Sequence, residues 1–337
     1  MTLPLLAVSL GCPSGIGPEV SVEAALNAQK FARVLLVGDP RIVRRAISAK
    51  DFVLVSSPEE LPKGKIGILS SASKISTADA PFGKPTAIAG RVQYAWFEEA
   101  MTLVGQGHAD ALVTGPVSKA AVQQGGILGF LGHTEALAER FNVSEVTMAF
   151  AEQALTTALV TTHLPLRAVP DAITEARVVR AITHLAAFLK ARRRGRGKLP
   201  RIFVTGLNPH AGESGKIGTE EVRIRRAIEK TAKLATIEGP MAAEAVFRRA
   251  AKGEADGVVA MYHDQATIPT KLLSFGEAVN ITLGLPIIRT SVDHGTGYDI
   301  AGKKKADASG MLEAMRLAAE LVRARSDAEP QRPRARR

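Results

Sequence analysis

The stretch LTTALVTTH, residues 155–163, is a short apolar run that ends in a histidine. The same arrangement recurs at Ile202–Leu207 before His210 and at Val258–Met261 before His263. Short apolar runs separated by helical patterns predict buried strands of one parallel sheet, whose carboxyl ends share one edge. Ligands bind at that edge in open α/β sheets, and three neutral imidazoles there would suit a divalent metal with open coordination positions. The pattern predicts a metalloenzyme.

Strand and helix patterns alternate along the rest of the chain, on both sides of these runs. Further strands are predicted at Leu5–Leu10, Val34–Val37, Ala111–Thr114 and Ile287–Ser291. Helices are predicted to begin at Pro18 and to cover Ala87–Leu103, Ile173–Arg193, Glu220–Leu234 and Met311–Arg325. This alternation predicts an α/β fold with a mostly parallel sheet and helices on both faces. The residues after Ser326 are expected to form a disordered basic tail.

Composition narrows the class of protein. A chain of 337 residues allows two domains or one large α/β unit. The single cysteine, Cys12, excludes an internal disulfide framework and predicts a reducing, cytoplasmic setting. No apolar run is long enough to span a bilayer, so no membrane association is expected.

The formal net charge of +11 is concentrated in two segments. Lys190–Arg201 contains seven basic residues and no acid, and Arg323–Arg337 contains six basic residues and two acids, so the remainder is neutral overall. Neither segment contains an aromatic side chain on which bases could stack. A specific nucleic-acid partner is therefore not expected, and solvated charge is the favoured interpretation.

Several loops that follow predicted strands contain residues that can do chemistry. Gly11–Glu19 (GCPSGIGPE) lacks the G-x-G-x-x-G spacing of dinucleotide-binding loops. It therefore predicts a tight structural turn rather than a loop that binds phosphate through backbone N–H groups. In Thr114–Lys119 (TGPVSK), the lysine is equally well a surface residue or a functional one. In Gly132–Glu135 (GHTE), the threonine suits a helix cap.

A second group of candidates lies later in the chain. Asp264 could orient the neighbouring imidazole or act as a base. Lys271, Asn280 and Arg289 lie near strand ends, where cations and an amide suit a phosphorylated or carboxylated substrate. The stretch 293–302 (DHGTGYDIAG) is a polar, glycine-rich turn after a strand.

An ordered set of motifs runs from Gly11 to about Ala308, and in this order the set is highly specific. The motifs are GxPxGIGPE, VTGPxxK, GHTE, TTHLPL, GLNPHAGExGxxGxEE, AMYHDQ and NITLGLPxIRTSVDHGT. The chain resembles the 4-hydroxythreonine-4-phosphate dehydrogenase family of pyridoxal phosphate biosynthesis. The resemblance implies two α/β/α domains like those of the isocitrate and isopropylmalate dehydrogenases, with an active site in the interdomain cleft of a homodimer. The expected domains cover residues 1–118 with 272–325, and residues 119–271.

The resemblance also implies roles for individual residues. One divalent metal ion (zinc, magnesium or cobalt) is expected at His163, His210 and His263, with ligands drawn from both subunits, so that the three histidines need not converge within one chain. The phosphorylated substrate is expected at His133, Thr134, Lys271, Asn280 and Arg289, and the catalytic side chains are expected to be Lys271 and Asp264. NAD or NADP is expected at His294, Gly295, Asp299, Ile300 and Gly302.

The implied reaction is the metal-dependent, NAD(P)-linked oxidation of 4-phosphohydroxy-L-threonine, followed by decarboxylation to 3-amino-2-oxopropyl phosphate. Some positions depart from the family pattern, among them Cys12, Ser14, Glu244, Ala266 and Lys304. They leave open a paralogue that acts on threonate or erythronate 4-phosphate. A metal-dependent phosphatase could use the same histidines and basic residues, and it is the alternative from another enzyme class.

Overall fold

Strands and helices alternate through the computed structural model, which describes residues 3–46, 52–152, 155–193, 198–274 and 278–328. The strands within these ranges are β1 (Leu5–Ser9), β2 (Arg33–Gly38), β3 (Phe52–Val55), β4 (Ile66–Ser70), β5 (Ala111–Thr114), β6 (Thr147–Ala151), β7 (Thr156–Leu159), β8 (Arg201–Thr205), β9 (Thr236–Met241), β10 (Gly257–Ala260), β11 (Val279–Leu283) and β12 (Arg289–Ser291). The helices are α1 (Gly17–Ala28), α2 (Pro40–Ala46), α3 (Ala87–Gly105), α4 (Lys119–Gln124), α5 (His133–Arg140), α6 (Val169–Ala172), α7 (Glu175–Arg192), α8 (Glu221–Thr231), α9 (Ala243–Ala250), α10 (His263–Ser274) and α11 (Ser309–Ala328).

The first of two units comprises residues 1–143 and 285–323. Its strands lie in the order β3, β4, β2, β1, β5, β12, and each neighbouring pair is parallel. The central strand β1 is buried along its whole length, because its residues are apolar or small on both faces. Leu35, Phe97, Leu112 and Leu137 share one core cluster on a face of this sheet. The carboxyl ends of β5 and β12 therefore sit on a rigid, buried support.

The second unit comprises residues 144–284 and 324–337. Its strands lie in the order β11, β6, β7, β10, β8, β9, in which β6 is antiparallel to both of its neighbours and the last four strands are parallel. Leu159, Phe203 and Val258 belong to its core cluster. The three strands that precede the histidines are thus parallel neighbours with their carboxyl ends at one edge, which confirms the strand arrangement predicted from sequence.

The unit boundaries differ from the predicted ones, which lie after residues 118 and 271. Helices α4 and α5 stay with the first unit, because Leu137 of α5 packs into the cluster that contains Leu112. Strand β11 belongs to the second unit, because it pairs along its whole length with β6. Helix α11 continues to Ala328, so the tail cannot begin directly after Ser326. Residues 329–337 of the tail and 194–197 of the basic loop lie outside the described residues.

Within the described residues, no helix combines the length and the apolar character that crossing a bilayer requires.

Candidate functional site

Two buried polar side chains, Arg289 and Thr114, meet the half-buried His133 at the carboxyl end of β5 in the first unit. Arg289 begins β12, beside β5, and is only 4% exposed. Its Nη2 donates to Thr114 Oγ1 at 2.8 Å and to His133 Nδ1 at 3.2 Å. His133 is the first residue of α5, and its ring also packs against Phe97 with a centroid separation of 4.6 Å. The buried Arg289 side chain therefore fixes the position of the His133 imidazole through Nη2.

The hydrogen bond from Arg289 also determines the tautomer of His133. A guanidinium can only donate, so Nδ1 of the imidazole accepts and the ring proton is on Nε2. That Nε2 atom is buried and has no hydrogen-bond partner within the described part of the chain. A buried donor without an acceptor is unfavourable, and a phosphate or carboxylate oxygen of a ligand would satisfy it.

The charges around His133 favour an anion. Burial, followed by the charges of Arg289 and Lys119, holds the pKa of His133 well below its usual value of 6.5, so the ring is neutral. Burial lowers the pKa of Arg289 to about 10, against the opposing effect of Glu135, and the guanidinium stays charged at neutral pH. One buried cation and one neutral N–H donor are a suitable pair for a phosphate group.

Thr134, the other predicted substrate residue of the first unit, does not cap α5. The cap residue is Gly132, whose φ of +150° suits glycine, and Thr134 follows it in the first turn in a half-buried position. The interpretation of this threonine as a helix cap was wrong, because the helix starts at His133, two residues earlier than that role requires.

Two of the three predicted metal ligands lie together in the second unit. The rings of His163 and His263 have centroids 5.5 Å apart. His263 Nδ1 lies 2.7 Å from Asp264 Oδ1, and because the carboxylate accepts, the ring proton sits on Nδ1. This arrangement leaves the lone pair of Nε2 available to a metal, as carboxylate partners commonly do for metal-binding histidines.

His210 does not join this pair. It is exposed on a turn, Pro209–Gly215, where six consecutive residues have positive φ, beginning with His210 at +53°. The carboxylate of Glu221, itself buried, anchors the turn by accepting from Leu207 N at 3.1 Å and Asn208 N at 2.9 Å. Among the residues that the structure describes, no three His, Cys, Asp or Glu side chains are arranged to hold a metal ion. The expected sharing of ligands between subunits, under which the three histidines need not converge within one chain, stays a prediction.

The remaining predicted residues of the second unit occupy different elements. Lys271 is exposed on the last turn of α10, the helix that begins at His263. Asn280 lies on β11, and its Oδ1 atom is buried with no hydrogen-bond partner among the described residues. An acceptor left in this state suits a donor group on a ligand, such as a hydroxyl or an ammonium.

The predicted cofactor loop, residues 294–302, packs against the glycine-rich loop that follows β1. Ile16 N donates to Thr296 O at 2.9 Å, and Gly302 N donates to Glu19 Oε1 at 2.7 Å. Gly302 has a φ of +76°, and a Cβ there would lie 2.6 Å from the ring of Phe82. Close packing thus explains Gly302, and it also explains Gly15, where a Cβ would lie 2.4 Å from Thr296 O, in line with the structural turn expected at Gly11–Glu19.

The exposed part of residues 294–302 contains most of the predicted cofactor residues. His294, Gly295 and Asp299 are exposed, and Ile300 is half-buried. His294 Nδ1 donates to Gly295 O at 2.9 Å. The loop thus combines a fixed backbone with accessible polar groups, which a dinucleotide requires.

Sequence reasoning missed the supporting side chains. Thr114 and Glu221 were quoted within motifs but given no function, and Lys119 was left undecided. The available signal was position, since Thr114 ends a strand, Lys119 begins the helix that follows it, and Glu221 begins the helix after the His210 turn.

The known proteins to which this chain is similar point to one family. A family profile described as "Pyridoxal phosphate biosynthetic protein PdxA" matches residues 30–318. A 4-hydroxythreonine-4-phosphate dehydrogenase from Geobacter metallireducens is 41% identical, covering 96% of each chain. A relative from Oceanobacillus iheyensis, provisionally named a D-threonate 4-phosphate dehydrogenase, is 38% identical over 95% of this chain and 98% of its own. The crystal structure of a 4-hydroxythreonine-4-phosphate dehydrogenase from Klebsiella pneumoniae is similar with a TM-score of 0.82 and 36% identity, covering 95% of this chain and 99% of that one.

The fold and the comparisons together define an α/β oxidoreductase. The chain belongs to the PdxA family, whose members here are 4-hydroxythreonine-4-phosphate dehydrogenases and their relatives. The predicted family is confirmed, and so is the predicted likeness to the isocitrate dehydrogenase fold.

Proposed function

We propose that the protein oxidises 4-phosphohydroxy-L-threonine with NAD or NADP, and that decarboxylation of the oxidised product gives 3-amino-2-oxopropyl phosphate in pyridoxal 5'-phosphate biosynthesis. The observation that carries this proposal is the buried Nε2–H donor of His133 beside the charged Arg289. A phosphate monoester supplies the acceptor that this donor lacks and a charge that complements the guanidinium. The phosphate contacts lie away from the reacting carbon, and their binding energy can position that carbon for reaction.

The proposal includes a divalent metal ion bound by the histidines of the second unit. The donor set fits such a group, because two imidazoles lie with ring centroids 5.5 Å apart and Asp264 leaves Nε2 of His263 available. A divalent ion such as zinc, magnesium or cobalt, when bound, would supply a Lewis acid that favours ionisation of the substrate hydroxyl. His163 and His263 would hold it together with His210. Asp264 is proposed either to orient His263 or to act as a base, and Lys271 to bind the substrate and assist proton transfer.

The cofactor is proposed to bind at residues 294–302, where His294, Gly295, Asp299, Ile300 and Gly302 provide backbone and side-chain groups. The nicotinamide would accept the hydride that leaves the substrate carbon. The proposal is supported by the fixed backbone of this loop and by family membership, and it leaves the choice between NAD and NADP to experiment.

A homodimer with shared active sites is proposed as the working form. Exposed apolar side chains in the second unit support it: Leu166 is 68% exposed, and Ile268 and Leu272 of α10 are 59% and 69% exposed. Burial of such side chains against a second copy would be favourable, and the second copy could supply the ligand missing from the histidine pair. Neither a membrane nor a specific nucleic acid is proposed as a partner, and the single cysteine supports a reducing, cytoplasmic setting.

The test is a direct assay of the purified protein with each divalent metal, each nicotinamide and 4-phosphohydroxy-L-threonine. Growth of the reduced-nicotinamide absorbance band and formation of 3-amino-2-oxopropyl phosphate are the expected results. The unphosphorylated amino acid is the control and should turn over far more slowly, because it cannot use His133 and Arg289. No reduction of NAD or NADP by the phosphorylated substrate would overturn the proposal, and phosphate release without nicotinamide would favour a phosphatase.

The second candidate is a dehydrogenase for threonate or erythronate 4-phosphate, which the name of the Oceanobacillus relative supports. These substrates share the phosphate but replace the amino group by a hydroxyl. A higher kcat/KM for the sugar-acid phosphates than for 4-phosphohydroxy-L-threonine would establish this alternative.

A further inference from the structure

The side chain of Lys119 lies beside the start of α5, where His133 is held. A Cβ placed on Gly132 would lie 3.2 Å from Lys119 Cε and 3.3 Å from Lys119 Nζ. The same Cβ would also lie 2.8 Å from Glu135 Oε2. Glycine at position 132 therefore leaves room for an ammonium group directly next to the residue that precedes His133.

Lys119 is mounted on a well-anchored helix start. It is the first residue of α4, whose cap residue Ser118 accepts from Ala121 N through its side chain. Ser118 N in turn donates to Oε1 of the buried Gln93 at 2.8 Å. A side chain at Gly90 of α3 would collide with Ala121 O, so α3 and α4 are in close backbone contact. The base of the lysine side chain is therefore held in place, while its end is exposed.

The charged side chains around His133 carry a net positive charge, which favours an anion. Arg289 Nη2 lies 3.2 Å from His133 Nδ1, and Lys119 Nζ lies beside Gly132, the residue before His133. Glu135 acts on Arg289 with the opposite sign and offsets one positive charge. A neutral imidazole, two cations and one carboxylate carry one net positive charge, which a phosphate dianion would more than neutralise.

We propose that Lys119 is a further substrate-binding residue, whose ammonium contacts the phosphate group that His133 and Arg289 hold. This inference rests on the proposed function for the identity of the substrate. It does not depend on turnover, because inorganic phosphate alone can occupy such a site. The competing explanation is structural: Lys119 could simply neutralise Glu135 and secure the start of α5.

The experiment compares Lys119→Met, Lys119→Arg and a matched control, Lys65→Met. Lys65 is also an exposed lysine of the first unit, but it precedes β4 and so lies at the amino edge of the same parallel sheet. Lys119→Met should raise KM for the phosphorylated substrate about tenfold or more with kcat within about twofold, since a charge-assisted contact to phosphate is lost. Lys119→Arg should restore most of the affinity, and Lys65→Met should match the wild type.

Calorimetric titration with inorganic phosphate supplies the readout that is independent of turnover. Weaker phosphate binding by Lys119→Met, at unchanged thermal stability, supports the proposal even if no substrate is oxidised and the proposed function fails. Unchanged KM and unchanged phosphate affinity in Lys119→Met would overturn it. A loss of stability without a change in phosphate affinity would also overturn it, in favour of the structural role. If Lys119→Met does not fold, Lys119→Gln is judged by the same two measurements.

Discussion

The two groups of candidate residues differ in how completely one chain builds them. In the first unit, Arg289 is buried and fixes His133 through hydrogen bonds to that ring and to Thr114. In the second unit, the side chains of His263 and Asp264 are 39% and 63% exposed, and the residue that orients the ring is its sequence neighbour. An anion site can thus be preorganised by the fold alone, whereas the histidine pair needs further ligands before it can bind a metal tightly.

The largest effect is expected where the histidine pair is broken. His263→Ala removes one of two imidazoles, and loss of a Lewis acid should lower kcat/KM by about 10³-fold or more. Metal content after dialysis, measured by mass spectrometry, should fall with activity while circular dichroism stays unchanged. His108→Ala is the matched control, because His108 is exposed and its Nδ1 lies 3.4 Å from Oε1 of the exposed Glu59. Wild-type metal content in His263→Ala would remove this residue from the ligand set.

A smaller effect is expected from Arg289→Lys, which keeps the positive charge and removes the planar set of N–H donors of the guanidinium. Lysine cannot donate to Thr114, His133 and a phosphate oxygen with the same planar geometry, so the position and tautomer of the imidazole are no longer fixed. We expect KM for the phosphorylated substrate to rise roughly 10- to 100-fold. Steady-state kinetics check the KM, and a thermal melt separates the affinity from folding. An unchanged KM would show that the preorganised guanidinium is not part of the phosphate site.

Asp264→Asn separates the two roles left open for this carboxylate. If Asp264 orients His263, metal affinity should fall about 10- to 100-fold and excess metal should restore kcat. If Asp264 is the base, kcat should stay low at saturating metal. A titration of activity against metal concentration distinguishes the two outcomes, and full activity at all metal concentrations would exclude both roles.

The sequence was sufficient to predict the elements that set the fold. The apolar runs before the three histidines became β7, β8 and β10, because runs of four to six apolar residues in an alternating α/β pattern have few other buried arrangements. Strand pairing in register then brings the three carboxyl ends to one edge. The turn at residues 293–302 could likewise be predicted from its glycines, because Gly297 and Gly302 have positive φ, which glycine adopts readily.

Contacts between distant residues could not be predicted in this way. Thr114 and Arg289 are 175 positions apart, and only the pairing of β5 with β12 brings them together. The left-handed turn at His210 depends on Glu221, which anchors it from the start of the next helix. No local pattern records either contact, so the tautomer of His133 and the backbone conformation at His210 required the structure.

The smallest effect should appear in the pH dependence of stability, and it tests how firmly the first unit keeps His133 neutral. Burial lowers the pKa of His133 in the folded state, so below pH 6.5 the unfolded chain takes up a proton that the folded chain does not. Proton uptake by the unfolded chain lowers the free energy of unfolding. The loss is absent above pH 6.5 and grows as the pH falls, by at most about 1.4 kcal/mol per pH unit. Urea denaturation between pH 7.5 and pH 5 should therefore show a shallower loss for His133→Gln than for the wild type, since glutamine does not titrate. Parallel curves would mean that the His133 ring is protonated in the folded protein. Nδ1 could then not accept a hydrogen bond from Arg289, and the proposed arrangement of donors for phosphate would be wrong.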